Sequence, residues 1–300
     1  MPMEIRKSGF VTILGRPNVG KSTLMNHLLG QKLSITSHRP QTTRHRILGI
    51  HTSHHVQTIY VDTPGIHTSH KNAMNRYLNR AATSTISDVD VILFLVEGTR
   101  WTEEDDFITE KIKGARAPLV IAINKVDLID DKGELLPIME RLNKTLSPAK
   151  IIPVSAEKGT NIQELQSCIE EFLPEGGQFY PEDQITDRSE RFIAAEIIRE
   201  KLTRQLGKEL PYALTVEVEQ FKREKDILNI AATIFVERKG QKAIVIGKKG
   251  EMLKLVGKKA RIDMEKYFSM HVYLNLWVKV KEGWSDDERA LKSLGYNDEF

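Results

Sequence analysis

The chain has 300 residues, 40% of them hydrophobic, and a formal net charge of only +3 from 44 Lys and Arg against 41 Asp and Glu. That is enough for two ordinary domains, each with a sizeable core, and a balance that by itself names no partner. A single cysteine, Cys168, excludes an intrachain disulfide and a multi-cysteine metal site and fits a reducing cytosol. Met1–Gly9 has no apolar core of the kind a secretory signal needs, and the longest apolar run, Val91–Val96, is too short to span a bilayer.

In chain order, the first half alternates two kinds of segment. Strands are predicted at Phe10–Leu14, Arg46–His54, Val56–Val61, Val91–Val96, Leu119–Ile123 and Ile151–Val154. Helices are predicted at Ser22–Leu29, Asn72–Ser84, Glu103–Lys113, Glu134–Leu146 and Asn161–Phe172. Such alternation implies a mostly parallel sheet with helices on both faces, and the unbroken VILFLV run suits a strand buried on both sides. Pro174–Ser189, with two prolines and two glycines, reads as a linker. The order then changes: helix Glu190–Leu206, strands Ala213–Phe221 and Leu228–Glu237, a glycine loop, helix Met252–Tyr267, strand Val272–Val280, and a polar tail with a short helix at Asp286–Leu294. The expected organisation is an α/β domain over 1–173, a linker over 174–189, a small α+β domain over 190–284 and a tail over 285–300.

The chemistry concentrates in the loops after the predicted strands. Gly15-Arg16-Pro17-Asn18-Val19-Gly20-Lys21-Ser22, followed by Thr23, leaves a strand and opens a helix. This is the phosphate-loop pattern: glycines let backbone N–H groups wrap an oxyanion at a helix N-terminus. Lys21 is placed to reach the β- and γ-phosphates and Ser22 to ligate Mg2+. Asp62-Thr63-Pro64-Gly65 ends the next strand but one. Asp62 can hold Mg2+ through water, and the Gly65 N–H can sense the γ-phosphate. Asn124-Lys125-Val126-Asp127 follows a later strand. The Asp127 carboxylate can accept from the N1–H and 2-amino groups of guanine, which adenine cannot offer together. Asn124 can tie this loop to the phosphate loop, and the Lys125 stem can cover the base. Ser155-Ala156-Glu157-Lys158-Gly159 comes last, with the Ala156 N–H a candidate for guanine O6. Between the first two motifs, Thr43 is favoured over Thr42 as a second hydroxyl ligand for Mg2+. Lys21, Thr43 and Gly65 are therefore the candidate catalytic residues, acting by positioning and charge stabilisation on a water-driven hydrolysis of GTP.

In the second half, Arg238–Arg261 carries nine basic residues and one acid, Glu251, around Gly247-Lys248-Lys249-Gly250. That is the GXXG pattern of KH domains, which clamps the backbone of single-stranded nucleic acid. Lys248, Lys249, Lys254, Lys258 and Lys259 are the candidate phosphate contacts. Trp277 is expected in the core, Cys168 as an inert core thiol, and His38, His45, His51, His54, His55 and His67 on the surface without metal spacing.

The ordered set GRPNVGKS, TTR, DTPG, NKVD and SAEKG, with the KH-like half behind it, resembles the translation-factor-related bacterial GTPases over nearly the whole chain. The resemblance implies a GTP/GDP switch with Mg2+. It also implies a target at the 3′ end of small-subunit (16S) ribosomal RNA, a role in assembly of the small ribosomal subunit, and a cytoplasmic monomer that in some relatives also visits the inner membrane. Where Ras-like proteins place a water-orienting glutamine this chain has Ile66, so slow turnover and stimulation by a partner or ion are expected. Asn18 matches a position that holds K+ in related GTPases. The competing reading is a membrane-associated signalling GTPase whose basic domain binds anionic lipid.

Overall fold

The computed structural model describes residues 5–37, 42–53, 55–65, 73–207 and 210–296. Ile66, His38, His54 and His67 lie outside these residues. The described residues form two compact units; the second runs from Arg188 onward and also takes in Ala73 and Met74.

The first unit runs β1 (Lys7–Leu14), α1 (Lys21–Leu28), β2 (Ile47–Ser53), β3 (Val56–Asp62), α2 (Ala73–Thr83, all but its first two residues), β4 (Val91–Glu97), α3 (Glu103–Ile112), β5 (Leu119–Asn124), α4 (Leu135–Leu146), β6 (Lys150–Pro153) and α5 (Ile162–Phe172). Its six strands are ordered β2-β3-β1-β4-β5-β6, parallel except for β2, which pairs antiparallel with β3. The centre of the sheet is fully covered: Val91 through Val96 and Val120 through Ile123 are all 0% exposed. That explains why these strands are unbroken apolar runs rather than alternating ones. Helix α3 starts where the sequence supplies an acceptor: Asp105 Oδ2 takes both the N–H and the hydroxyl of Thr102 at 2.9 Å, closing its first turn. The motif loops all leave the carboxyl ends of strands, where open α/β sheets place their ligand sites.

Residues 174–187 are ordered along this unit. Ile50 N–H donates to Ile185 O at 2.9 Å, Leu48 N–H to Asp187 Oδ1 at 3.2 Å, and Gln57 Oε1 takes the N–H groups of Phe179 and Tyr180 at 2.9 Å each. The prolines and glycines that mark a linker here allow the chain to follow the sheet edge, with Phe179 against Phe10 at 5.3 Å between ring centroids.

The second unit contains α6 (Glu190–Gln205), β7 (Leu214–Glu224), β8 (Ile227–Val236), α7 (Lys239–Ile246), α8 (Glu251–Phe268), β9 (His271–Val280) and α9 (Glu288–Ser293). Its sheet is ordered β7-β8-β9, with β8 antiparallel to β7 and parallel to β9. The helix α7 is absent from the sequence reading. Its β-branched Ile244-Val245-Ile246 run imitates a strand, whereas the side chain of Gln241 reaches back to the N–H groups of Glu237 and Arg238 at 2.9 Å each and starts a helix. Trp277, expected in the core, is 48% exposed. It belongs to the alternate set His271, Tyr273, Asn275 and Trp277 of β9, opposite the Val272 and Val278 set that is buried. Trp284 is instead the buried tryptophan, stacked on Tyr296 at 6.1 Å.

Candidate functional site

The phosphate loop joins β1 to α1. Gly20 has φ 110°, and a Cβ there would meet Asn124 Nδ2 at 2.3 Å, so glycine is required both by the backbone and by the close approach of the neighbouring loop. Asn18 is exposed and also left-handed, at φ 63°. Lys21 is 6% exposed and curls back over the loop, donating to Gly15 O at 2.8 Å and Arg16 O at 3.0 Å. Burial pulls its pKa down to about 8, with Asp62 opposing the drop. A polyphosphate in the loop would restore its full charge.

Ser22, Thr43 and Asp62 converge beside Lys21. The Ser22 and Thr43 hydroxyls are 2.8 Å apart, and they lie 3.2 Å and 3.4 Å from Asp62 Oδ2. Asp62 is fully buried, and burial raises its pKa against the pull of Lys21. Its second oxygen, Oδ1, is buried with no hydrogen-bond partner among the described residues. Two hydroxyls and one carboxylate with spare acceptor capacity are the hard-oxygen donors that Mg2+ takes alongside phosphate and water, so these residues fit the ion. Thr63 is buried and ties the strand end to Ile13 O at 3.0 Å, while Gly65 sits against Pro17 of the phosphate loop. Thr23, inside α1, is half-buried.

The base-side loops close on the same point. Asn124 is 2% exposed, donates to Val19 O at 2.8 Å and accepts from Ala156 N–H at 2.8 Å. One amide thus holds three loops together. The Ala156 N–H, a candidate for guanine O6, has a protein partner in this arrangement. Asp127 is exposed, and its Oδ1 accepts from Ser155 Oγ at 2.5 Å, which aims the carboxylate. Lys125 has φ 65° and directs its ammonium to Glu97 Oε2 at 3.0 Å. Glu97 also accepts from Arg16, whose Nε lies 3.2 Å from Asp105 Oδ2. Sequence reasoning put Arg16 on the nucleotide and overlooked Glu97 and Asp105. No motif spacing brings residue 16 to residues 97 and 105; only the sheet order β1-β4-β5 does.

In the second unit, Gly247 (φ 75°) and Gly250 (φ 81°) bracket the turn between α7 and α8. Lys248, Lys249, Lys254, Lys258 and Lys259 lie on this turn and on α8. None of the five makes an ion pair among the described residues, whereas Lys222, Arg223, Arg261 and Lys279 each hold a carboxylate. Unneutralised charge is therefore present around the glycine turn. Ile244 and Leu255, on the two helices that flank it, are 54% and 39% exposed. Apolar groups beside a charged backbone clamp suit unstacked bases, and both residues were missed in the sequence: Ile244 sits in the run that imitates a strand, and Leu255 in the apolar stripe of α8.

Comparison with known proteins agrees with this division. Residues 10–125 match the model of the 50S ribosome-binding GTPase family, and residues 209–285 match the KH domain. The GTPase Era of Pseudomonas aeruginosa (strain LESB58) is 59% identical over 292 residues, covering 97% of this chain and 96% of that protein. The chain belongs to the Era family of GTPases. Era of Ectopseudomonas mendocina is 58% identical over 294 residues, with 98% of each chain covered. Among solved structures, a single-residue variant of Aquifex aeolicus Era bound to GDP and AlF4− matches with TM-score 0.93 and 40% identity over 97% of this chain and 99% of that one. Era in complex with MgGDPNP and nucleotides 1506–1542 of 16S ribosomal RNA matches with TM-score 0.94 and 39% identity, with the same coverage. The chain is thus a GTPase of the Era type, with a phosphate-loop domain followed by a KH domain.

Proposed function

We propose that this Era-family chain is a GTP-controlled switch that binds the 3′ end of small-subunit (16S) ribosomal RNA and acts in assembly of the small ribosomal subunit. The observation that carries the reading is the pairing, on one chain, of the ordered guanine-nucleotide motifs with an unneutralised lysine cluster around a GXXG turn. The relative solved with MgGDPNP and 16S ribosomal RNA nucleotides supports it. Ser22, Thr43 and Asp62 would hold Mg2+, which supplies charge neutralisation across the β- and γ-phosphates. Lys21 and the N–H groups of residues 18–22 hold the phosphates in line, Gly65 senses the terminal one, and Asn124, Asp127, Ser155 and Ala156 order the base side. No side chain forms a covalent intermediate; water attacks, and the chain positions it. With Ile66 behind Gly65, basal turnover is slow, and Asn18 offers a site for K+ beside the phosphates. Faster single-turnover hydrolysis in potassium than in sodium buffer supports that ion; equal rates remove it.

The protein works as a cytoplasmic monomer in this reading. No helix among the described residues is long and apolar enough to cross a membrane, and membrane contact would run through the same lysines. Recovery of crosslinked RNA from cells tests the target. Reads concentrated at the 16S 3′ end support it. Diffuse reads, with binding to anionic vesicles that survives Gly250→Asp apart from the charge effect, favour the lipid-anchored alternative.

A further inference from the structure

We propose that Glu97 is a positioning residue for the nucleotide reaction: one carboxylate that locks the phosphate loop to the base-reading loop through Arg16 and Lys125. The inference rests on the guanine-nucleotide reading of the site.

Glu97 is the last residue of β4 and is in register with Asn124, the last residue of β5. Its neighbour Gly98 donates its N–H to Asn124 O at 3.0 Å, so the two strand ends are fixed to each other. From there the carboxylate reaches both ways. Oε2 accepts from Arg16 Nη2 and from Lys125 Nζ at 3.0 Å, while Oε1 accepts from Thr99 Oγ1 at 3.2 Å. The Arg16 guanidinium is held on its other side by Asp105, which is itself fixed by the first turn of α3. The main-chain carbonyl of Arg16 in turn accepts from Lys21 Nζ at 3.0 Å. The base-loop lysine and the phosphate lysine are therefore joined through Glu97 and Arg16 in three contacts.

Burial gives these contacts weight. The side chains of Arg16 and Glu97 are 8% and 12% exposed and that of Lys125 is 30% exposed. Burial would raise the Glu97 pKa, but the Lys125 and Arg16 contacts outweigh it and hold the carboxyl below its ordinary range. Removing one partner of such a set leaves the other charges uncompensated. Lys125 also occupies a left-handed backbone conformation that a side chain does not favour, so its loop depends on outside contacts to keep its shape. A salt bridge serving stability alone could join any two elements. This one joins the two loops that meet opposite ends of a nucleotide.

The test is Glu97→Gln in the full-length protein, which keeps the shape and removes the charge. Titration with a fluorescent GDP and with GDPNP is expected to show both affinities falling by about tenfold, the value of a hydrogen bond to a charged group. The loss should fall on KM for GTP more than on kcat. Discrimination between GTP and ITP should persist, because Asp127 is untouched. A cycle with Lys125→Met should be non-additive, since both changes break one contact. If Glu97→Gln lowers the folded fraction, Lys125→Gln breaks the same contact from its more exposed end and should give the same loss. Unchanged GDP affinity in Glu97→Gln, or additive effects in the cycle, overturns the proposal. Failure of the parent protein to bind GDP would sink the underlying reading as well, and the two failures are read on different proteins.

Discussion

Replacing Asn124 with alanine should disconnect three loops at once. The side chain makes two buried hydrogen bonds, one to Val19 O and one from Ala156 N–H, each 2.8 Å long. Alanine leaves a carbonyl and an N–H without partners in a region where Asn124 is 2% exposed. Each orphaned buried group costs about 1–3 kcal/mol, so the pair costs about 2–6 kcal/mol, with the lower half expected because water can follow the nucleotide cleft inward. Even about 2 kcal/mol, charged against the arranged loops, corresponds to roughly a 30-fold loss of GDP affinity. Isothermal titration with GDP measures it, and thermal unfolding with and without GDP separates loop disorder from global instability. Asn124→Ala should also relieve the contact that forbids a Cβ at Gly20, so adding Gly20→Ala to it should cost less than Gly20→Ala alone. GDP affinity within about twofold of the parent would refute the view that Asn124 organises the site.

Other outcomes follow from single features. Gly247→Ala and Gly250→Ala should both lower RNA affinity, but they should differ in thermal unfolding: a Cβ at Gly247 (φ 75°) would also meet Met252 Cβ at 2.7 Å, whereas Gly250, at φ 81° with nothing within 4 Å, should lose only the backbone cost of about 1–2 kcal/mol. Neutralising Lys248 and Lys249 together should reduce the slope of log K against log salt for single-stranded RNA by about 1.4, at about 0.7 per phosphate contact, in fluorescence anisotropy titrations. His51, half-buried in β2, is held by burial below its ordinary pKa despite Glu170. The unfolded chain therefore binds the proton first, and stability should fall as pH drops from about 6.5 toward the folded pKa. His51→Gln should flatten that part of the denaturant-midpoint profile.

Much of the first unit was legible because its loops are constrained residue by residue. A glycine with φ 110° facing Asn124, a hydroxyl beside a buried carboxylate and an acid at a strand end leave few alternatives, and each motif directly follows a strand along the chain. The central strands β4 and β5 were readable from unbroken apolar runs, which a sheet covered on both faces demands. What escaped depends on distance in the chain. Arg16, Glu97, Asp105 and Lys125 meet only because β1, β4 and β5 are neighbours. Residues 174–187 have linker composition, yet they satisfy backbone groups of β2 and the amide of Gln57. Trp277 shows the limit of alternation: a period of two says which residues share a face of β9 but not which face is covered. Helix α7 was hidden by its β-branched run, although the Gln241 reach-back was present in the sequence three residues after Arg238.

The most direct test of the switch is the affinity of a 16S 3′-end RNA for the full-length protein, measured with GDPNP and with GDP at one salt concentration. A GTP-controlled switch requires tighter binding in the GDPNP state, because a nucleotide that does not change RNA affinity controls nothing. Equal affinities in the two states would contradict it, leaving a GTPase and an RNA-binding domain on one chain without a switch between them.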